Sequence, residues 1–382
     1  MQKKTIIIGG GMAGMSCAQE LLEAGEDFLM ITDSLGGRVL YSPEERINYG
    51  AYFVMASYRH AKKLVQKTTW INPLNACFHN SDTERFPVLS GHTLTLLPEF
   101  LRFCFAMQEF SKHYEPYKKR CLVLSQKEAL AADPYMVEIF TKPAAQFIKE
   151  KRFLKVASDY IGKFSYACTG VSTDQITALD FLNVSMGILT PIHQFSFDAQ
   201  GFARKLEEHL VFDTITHLES NKGMYSLTGK NGKIYQAENV VVATPASVTK
   251  ELLHLPQIRA ACELYVFHVE AVLKKIYQKY DLNLFPPSSK IILTAKQHDG
   301  SYLIYSCQKE VDLQQVCESV NVLSTKAWEK AMYVQGSAYI EQQYGDGLFV
   351  AGDHNGLGLE PAAISGIFAA NQILNPSDDR SG

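Results

Sequence analysis

Three glycines near the start of the chain carry the clearest chemistry. Gly9, Gly11 and Gly14 stand at the places of a G-x-G-x-x-G turn, with Met12 and Ala13 inside it. Such a turn brings main chain against a pyrophosphate. The first glycine allows the bend, the second removes the side chain that blocks approach, and the third lets a helix pack on a strand. Free N–H groups and the positive dipole end of the following helix complete an anion site. An acid roughly 20 residues further on commonly takes the ribose hydroxyls. Here that place falls on Thr32 and Asp33, and either Asp33 takes the hydroxyls or Thr32 makes a weaker contact.

The flanking segments supply the elements that the turn needs. Residues 5–8 are apolar and β-branched and read as a short buried strand. Residues 15–24 read as a helix, with Met15, Ala18, Leu21 and Leu22 on one face and Gly25 at its end. Residues 28–31 read as a second apolar strand. Strand, glycine turn, helix and strand in that order make a weak motif specific for a dinucleotide.

Further motifs narrow the ligand. Gly36-Gly37-Arg38 follows the second strand, and Ala237-Glu238-Asn239-Val240-Val241-Val242-Ala243-Thr244-Pro245 reads as a buried strand ending at a turn. Ala351-Gly352-Asp353 and then Leu359-Glu360-Pro361-Ala362 through Ser365-Gly366 to Ala369-Ala370 lie near the far end. This combination resembles the FAD-dependent amine oxidase, phytoene desaturase and protoporphyrinogen oxidase superfamily.

The resemblance implies an α/β fold: a discontinuous Rossmann-like FAD-binding domain with an inserted α+β substrate or cap domain. The expected division is 1–90, 195–260 and 335–378 for the FAD domain, and 91–194 with 261–334 for the cap. It implies noncovalent FAD held by Gly9, Gly11, Met12, Ala13, Gly14, Gly36, Gly37 and Arg38, with Thr32 or Asp33 at the ribose. Gly352 and Asp353 are expected at the ribityl-pyrophosphate and the main chain of Ile215 at the adenine. A final helix from Pro361 is expected to aim the N–H groups of Ala362 and Ala363 at the flavin ring. Pro361 replaces the glycine usual in the family. Asn48 stands where the family commonly has an acid, and Tyr52 and Phe53 offer aromatic surface beside it.

The rest of the chain bounds the function. With 382 residues and 46% hydrophobic content, it can build a large core and two domains. A net charge of −3 argues against nucleic acid as a partner. The eight cysteines show neither C-x-x-C nor metal spacing and read as small buried hydrophobes in a reducing compartment. The 11 histidines are scattered, so no metal is expected. The start shows no leader, no apolar run is long enough to span a membrane, and a cytoplasmic location is expected. The oligomeric state is left open.

Residues 98–192 read as an inserted helical cap, with Pro134 and Pro143 as breakers. Gly229-Lys230-Asn231-Gly232 reads as a hairpin turn. Residues 265–280 settle on neither helix nor strand, residues 324–331 read as a helix, and residues 376–382 as a frayed tail. No side-chain nucleophile stands out. Tyr333 is the single candidate near the ring, and the family's lysine falls on Lys274, Lys275, Lys290 or Lys296. Three functions remain. The first is oxidation of a C–N or C–C bond of a small or apolar molecule by hydride transfer to FAD. The others are flavoprotein isomerisation and flavin binding without turnover.

Overall fold

Ile6, Ile7 and Ile8 are buried on both sides because their strand lies between two parallel neighbours inside a mixed sheet. The computed structural model describes residues 1–81, 83–221 and 223–376. The predicted tail therefore lies, beyond Pro376, outside the described residues. The first strand, β1 (Gln2–Gly11), leads into α1 (Met12–Glu23) and then β2 (Phe28–Gly36). Thr5 to Ile8 pair in register with Asn239 to Val242 on one side and with Phe28 to Ile31 on the other.

The order across this sheet is Leu210–Phe212, β2, β1, Ile234–Val242, Met224–Gly229 and Ile215–Asn221, with Leu348–Val350 also paired to Ile234–Val242. Alternation splits the buried residues between two cores. Ile7, Met30 and Val241 join the main cluster, while Ile6, Ile8, Val240 and Val242 face a second one. The final helix, Leu359–Leu374, packs against α1. A Cβ at Gly366 would lie 2.0 Å from the carbonyl oxygen of Ala13, so only glycine permits that approach.

A second sheet of seven strands stands beside the first. Its order is Cys317–Gln335, Ala260–Leu273, Tyr302–Ser306, Ile291–Lys296, Leu282–Leu284, Ala76–His79 and Arg85–Pro87. Two expectations change here. Residues 324–331 are strand, not helix, and the undecided segment 265–280 is mostly the strand Ala260–Leu273 that pairs with it. Ser324 to Ala331 has helical composition, but the long antiparallel ladder overrides local preference. Within the expected FAD range 1–90, Ala76–His79 and Arg85–Pro87 are strands of this second sheet.

Helices fill residues 91–189, beginning with α2 (Gly91–Thr95) and α3 (Leu97–Arg120) and ending with Ala178–Leu189. Pro134 and Pro143 start helices rather than break them: Pro134 is the first residue of one and Pro143 caps the next. A buried cluster ties the helical block to Arg259, just before the strand Ala260–Leu273, and to Leu357, just before the final helix. Asp180 Oδ2 accepts from Arg259 Nη1 at 2.6 Å, and its Oδ1 accepts the N–H of Leu357 at 2.8 Å.

Candidate functional site

A cavity of about 1120 Å³ runs from the glycine turn to the space between the second sheet and the helical block. Gly9, Gly11, Met12, Ala13, Gly36, Gly37 and Arg38 line one end. The second and third glycines of the turn do different work. A Cβ on Gly11 would meet nothing within 4 Å, because it would point into the cavity. A Cβ on Gly14 would lie 1.9 Å from the carbonyl oxygen of Gly9. Gly14 is therefore a packing residue and is not on the cavity wall, whereas Gly11 leaves the wall bare where a pyrophosphate would rest.

The ribose alternative is separated by burial. Thr32 is 4% exposed, and its hydroxyl accepts the N–H of Gly10 at 2.9 Å and donates to the carbonyl of Ser34 at 2.7 Å. It is spent on holding the glycine turn, which argues against Thr32 as a ribose contact. Asp33 is exposed at the cavity wall, where its carboxylate accepts only the hydroxyl of Ser34 at 3.2 Å. Ile215 also lines the cavity, together with Asp213 and Thr214.

Arg38 and Asp353 close over the same end. Arg38 Nη2 donates to Asp353 Oδ1 at 2.5 Å, and its Nη1 donates to the carbonyl of Ala331 at 3.3 Å. Burial works against the charged form of Asp353, but the adjacent Arg38 guanidinium holds its carboxyl below the usual carboxylate range. Gly352 donates its N–H to Ser365 Oγ at 2.7 Å, which fixes the loop to the final helix. His354 beside them is buried, and its Nε2 has no partner among the described residues. Burial pushes its pKa down to about 4, so the ring is neutral and offers an uncommitted nitrogen to the cavity wall.

The final helix differs from expectation at its start. It begins at Leu359, two residues before Pro361, and the N–H of Ala362 already donates to the carbonyl of Gly358 at 3.1 Å. Ala362 reaches the cavity wall, but Pro361 and Ala363 do not. Pro361 faces a small hollow beside Tyr114 and Tyr117. Ala363 is fully buried in the main core. The uncommitted N–H groups of the first turn belong to Leu359 and Glu360, because Pro361 has none. Sequence reading missed the role of Glu360. Its carboxylate accepts the N–H groups of Arg59 (2.7 Å), His60 (3.1 Å) and Ala61 (2.9 Å), pinning that turn to the helix.

The other end of the cavity is aromatic and aliphatic. Tyr52, Phe53, Phe78, Phe100, Tyr160, Phe164, Leu284, Leu293 and Tyr305 line it. The charged residues on the cavity wall, Asp33, Arg38, Asp213, Lys330 and Asp353, belong to the glycine end or to the Ser247–Tyr333 corner. None of Lys274, Lys275, Lys290 and Lys296 lines the cavity. Tyr305 is 6% exposed, its hydroxyl has no partner, and burial raises its pKa well above the ordinary value. Its ring meets that of Tyr52 edge-on at 6.3 Å, and the Tyr52 hydroxyl accepts from Gln194 Nε2 at 3.1 Å. Trp328 donates its indole N–H to the carbonyl of Tyr49 at 3.0 Å and also lines the cavity.

Tyr333, the residue expected near the ring, lines the cavity. Its hydroxyl donates to Ser247 Oγ at 2.6 Å, and its ring packs in the cluster of the first sheet with Ile6, Ile8 and Val242. It borders the cavity from the dinucleotide side. Asn48 is buried, and its side-chain amide donates to the carbonyl of Phe195 at 2.7 Å, so it acts in the scaffold. Five cysteines are buried, but Cys104 is exposed on α3, contrary to the reading of its apolar neighbours. No group of His, Cys, Asp or Glu among the described residues could hold a metal ion.

Comparison with known proteins agrees with this geometry. Residues 7–68 match the family model described as an NAD(P)-binding Rossmann-like domain. A curated relative, (S)-6-hydroxynicotine oxidase of Paenarthrobacter nicotinovorans, is 20% identical over 279 residues, which are 66% of this chain and 62% of that protein. The match thus spans less than two thirds of the relative's length. Putrescine oxidase superposes with a TM-score of 0.71 at 13% identity, covering 98% of this chain and 99% of that one. Cyclohexylamine oxidase from Brevibacterium oxydans gives 0.66 at 14% identity, covering 97% of each chain. A fatty acid isomerase from P. acnes gives 0.71 at 13% identity, covering 98% and 99%. The chain shares the overall fold of these solved structures, with a Rossmann-like domain and a second domain beside it.

Proposed function

We propose that this chain is an FAD-dependent oxidoreductase that holds its cofactor noncovalently and dehydrogenates an apolar, uncharged substrate. The observation that carries this reading is one continuous cavity with two chemistries: bare glycine backbone and Asp33 at one end, and aromatic and aliphatic side chains at the other. FAD fits the residues present. Gly11 leaves room for a pyrophosphate, Asp33 has its carboxylate free for ribose hydroxyls, and His354 Nε2 is buried without a partner.

When bound, the flavin supplies the hydride acceptor. The protein's part is position and exclusion of water. The first turn of the final helix brings the N–H groups of Leu359 and Glu360 and the positive dipole end toward the cavity. Those donors favour negative charge beside them. The aromatic end keeps water from the reacting bond and orients it. The cap end lacks a carboxylate to pair with an ammonium group, so a C–C bond or an uncharged amine suits it better than a polyamine.

The test has two steps. Denaturing the purified protein should release FAD, and a protein that neither carries nor takes up flavin refutes the reading. Anaerobic mixing with neutral amines and with polyenes should bleach the flavin for the right class. If no donor bleaches it and the dithionite-reduced protein shifts a double bond in an unsaturated chain, isomerisation replaces oxidation.

A further inference from the structure

We propose that the outer face of α2 and α3 docks this protein on an anionic lipid surface, with the apolar end of the cavity directly behind it. Large apolar side chains are exposed together on this face. Leu94 is 74% exposed, Leu97 54%, Leu101 52% and Phe105 68%, with Leu89 beside them at 76%. Residues 97, 101 and 105 are four apart on one helix, so they form a single stripe. Leu154, 56% exposed, extends it sideways. Its segment is held to α3 by Glu99 Oε2, which accepts the N–H groups of Lys155 and Val156 at 2.8 and 3.1 Å. A contiguous apolar patch of this kind marks an interaction surface.

The inner side of the same element is cavity wall. Val88, Thr93 and Phe100 line the cavity, and each adjoins an exposed leucine: Leu89, Leu94 and Leu101. One layer of helix therefore separates the outer patch from the apolar interior.

Charge selects the occupant. The chain carries a net charge of −3, yet the rim of this patch is basic. Arg102, Lys112 and Arg152 are exposed and make no ion pair among the described residues. The nearby acids are spent: Glu99 on main-chain N–H groups, and Glu109 on Lys151 at 2.6 Å. Apolar side chains ringed by cations outside any ion pair match an anionic headgroup region. A second copy of this chain fits less well, because a two-fold interface would set this basic rim against itself. No helix among the described residues is long and apolar enough to cross a membrane, so the attachment is to one surface.

The test is sedimentation of the full chain with vesicles of phosphatidylcholine alone or rich in phosphatidylglycerol, alongside analytical ultracentrifugation without lipid. The parent should bind the anionic vesicles and be partly released by salt. L97S/L101S/F105S should lose about tenfold or more in binding, and R102E/R152E should lose the preference for anionic lipid. Leu101→Gln alone, with circular dichroism and flavin content unchanged, should still weaken binding several-fold. The proposal is overturned if the parent ignores both vesicles, if the triple variant binds like the parent, or if the parent is a dimer that the triple variant splits. Flavin content is read separately, so failure here leaves the proposed redox function standing.

Discussion

Arg38 and Asp353, 315 positions apart in sequence, meet at 2.5 Å over the glycine end of the cavity. Asp353 is nearly buried and Arg38 is 39% exposed, so solvent screens part of the pair. Asp353→Asn is expected to cost about 1–2 kcal/mol in urea unfolding at neutral pH and to weaken flavin retention. The Asp353 carboxyl has its folded pKa depressed, so this stability is present above its ordinary value of 3.8 and is lost as pH falls further. A variant as stable as the parent at pH 7 would show that the pair is neutral to the fold.

His354 titrates in a different window. Its folded pKa is about 4 against 6.5 in the unfolded chain, so between those values only the unfolded chain holds the proton. Stability should fall by about 3 kcal/mol as pH drops through that interval, then level off for this group. His354→Gln should flatten that part of the curve. Denaturation midpoints measured at several pH values decide it, and an unchanged slope assigns the pH dependence elsewhere.

Gly11→Val and Gly14→Ala should fail in opposite ways. The space beyond Gly11 is open, so the valine variant should fold and lose FAD binding. The Gly14 Cβ meets the Gly9 carbonyl at 1.9 Å, so even alanine should destabilise the chain. Paired melting curves and flavin titrations check both. An FAD-replete Gly11→Val protein would mean that the pyrophosphate lies elsewhere.

Asp33 and Thr32 should likewise separate. Asp33→Ala should weaken FAD binding by about 1–3 kcal/mol while leaving apo stability unchanged. Thr32→Val strips the Gly10 N–H of its buried acceptor and should cost about 1–3 kcal/mol in apo stability. If Asp33→Ala binds FAD as the parent does, Asp33 serves the turn alone.

Tyr305→Phe removes the hydroxyl that lacks a partner in the apolar end of the cavity. The change should leave the fold intact, since no hydrogen bond is lost, and should leave flavin content unchanged. The hydroxyl is buried behind its ring with no surface open to the cavity, so kcat/KM should stay within about twofold of the parent. A tenfold loss of kcat/KM would show instead that the hydroxyl reaches the substrate.

Much of this was readable in the chain. The glycine turn, its strands and its helix are local, because a few consecutive residues set both the backbone shape and the apolar faces. The sequence also named the motif at 351–353 and the helical character of residues 98–192. It misread residues 324–331, because a ladder with Ala260–Leu273 overrides a segment of helical composition. The commitments of Glu360 and Tyr333 were decided by tertiary structure alone. Each depends on partners far along the chain: Glu360 on residues 59–61, and Tyr333 on Ser247. The apolar, uncharged end of the cavity is likewise assembled from both sheets and the helices, and sequence order carries no trace of which side chains will share one wall. The order of residues fixed the dinucleotide end because its contacts are mostly main chain at successive positions. The substrate end was left to long-range packing, where side chains from distant segments meet.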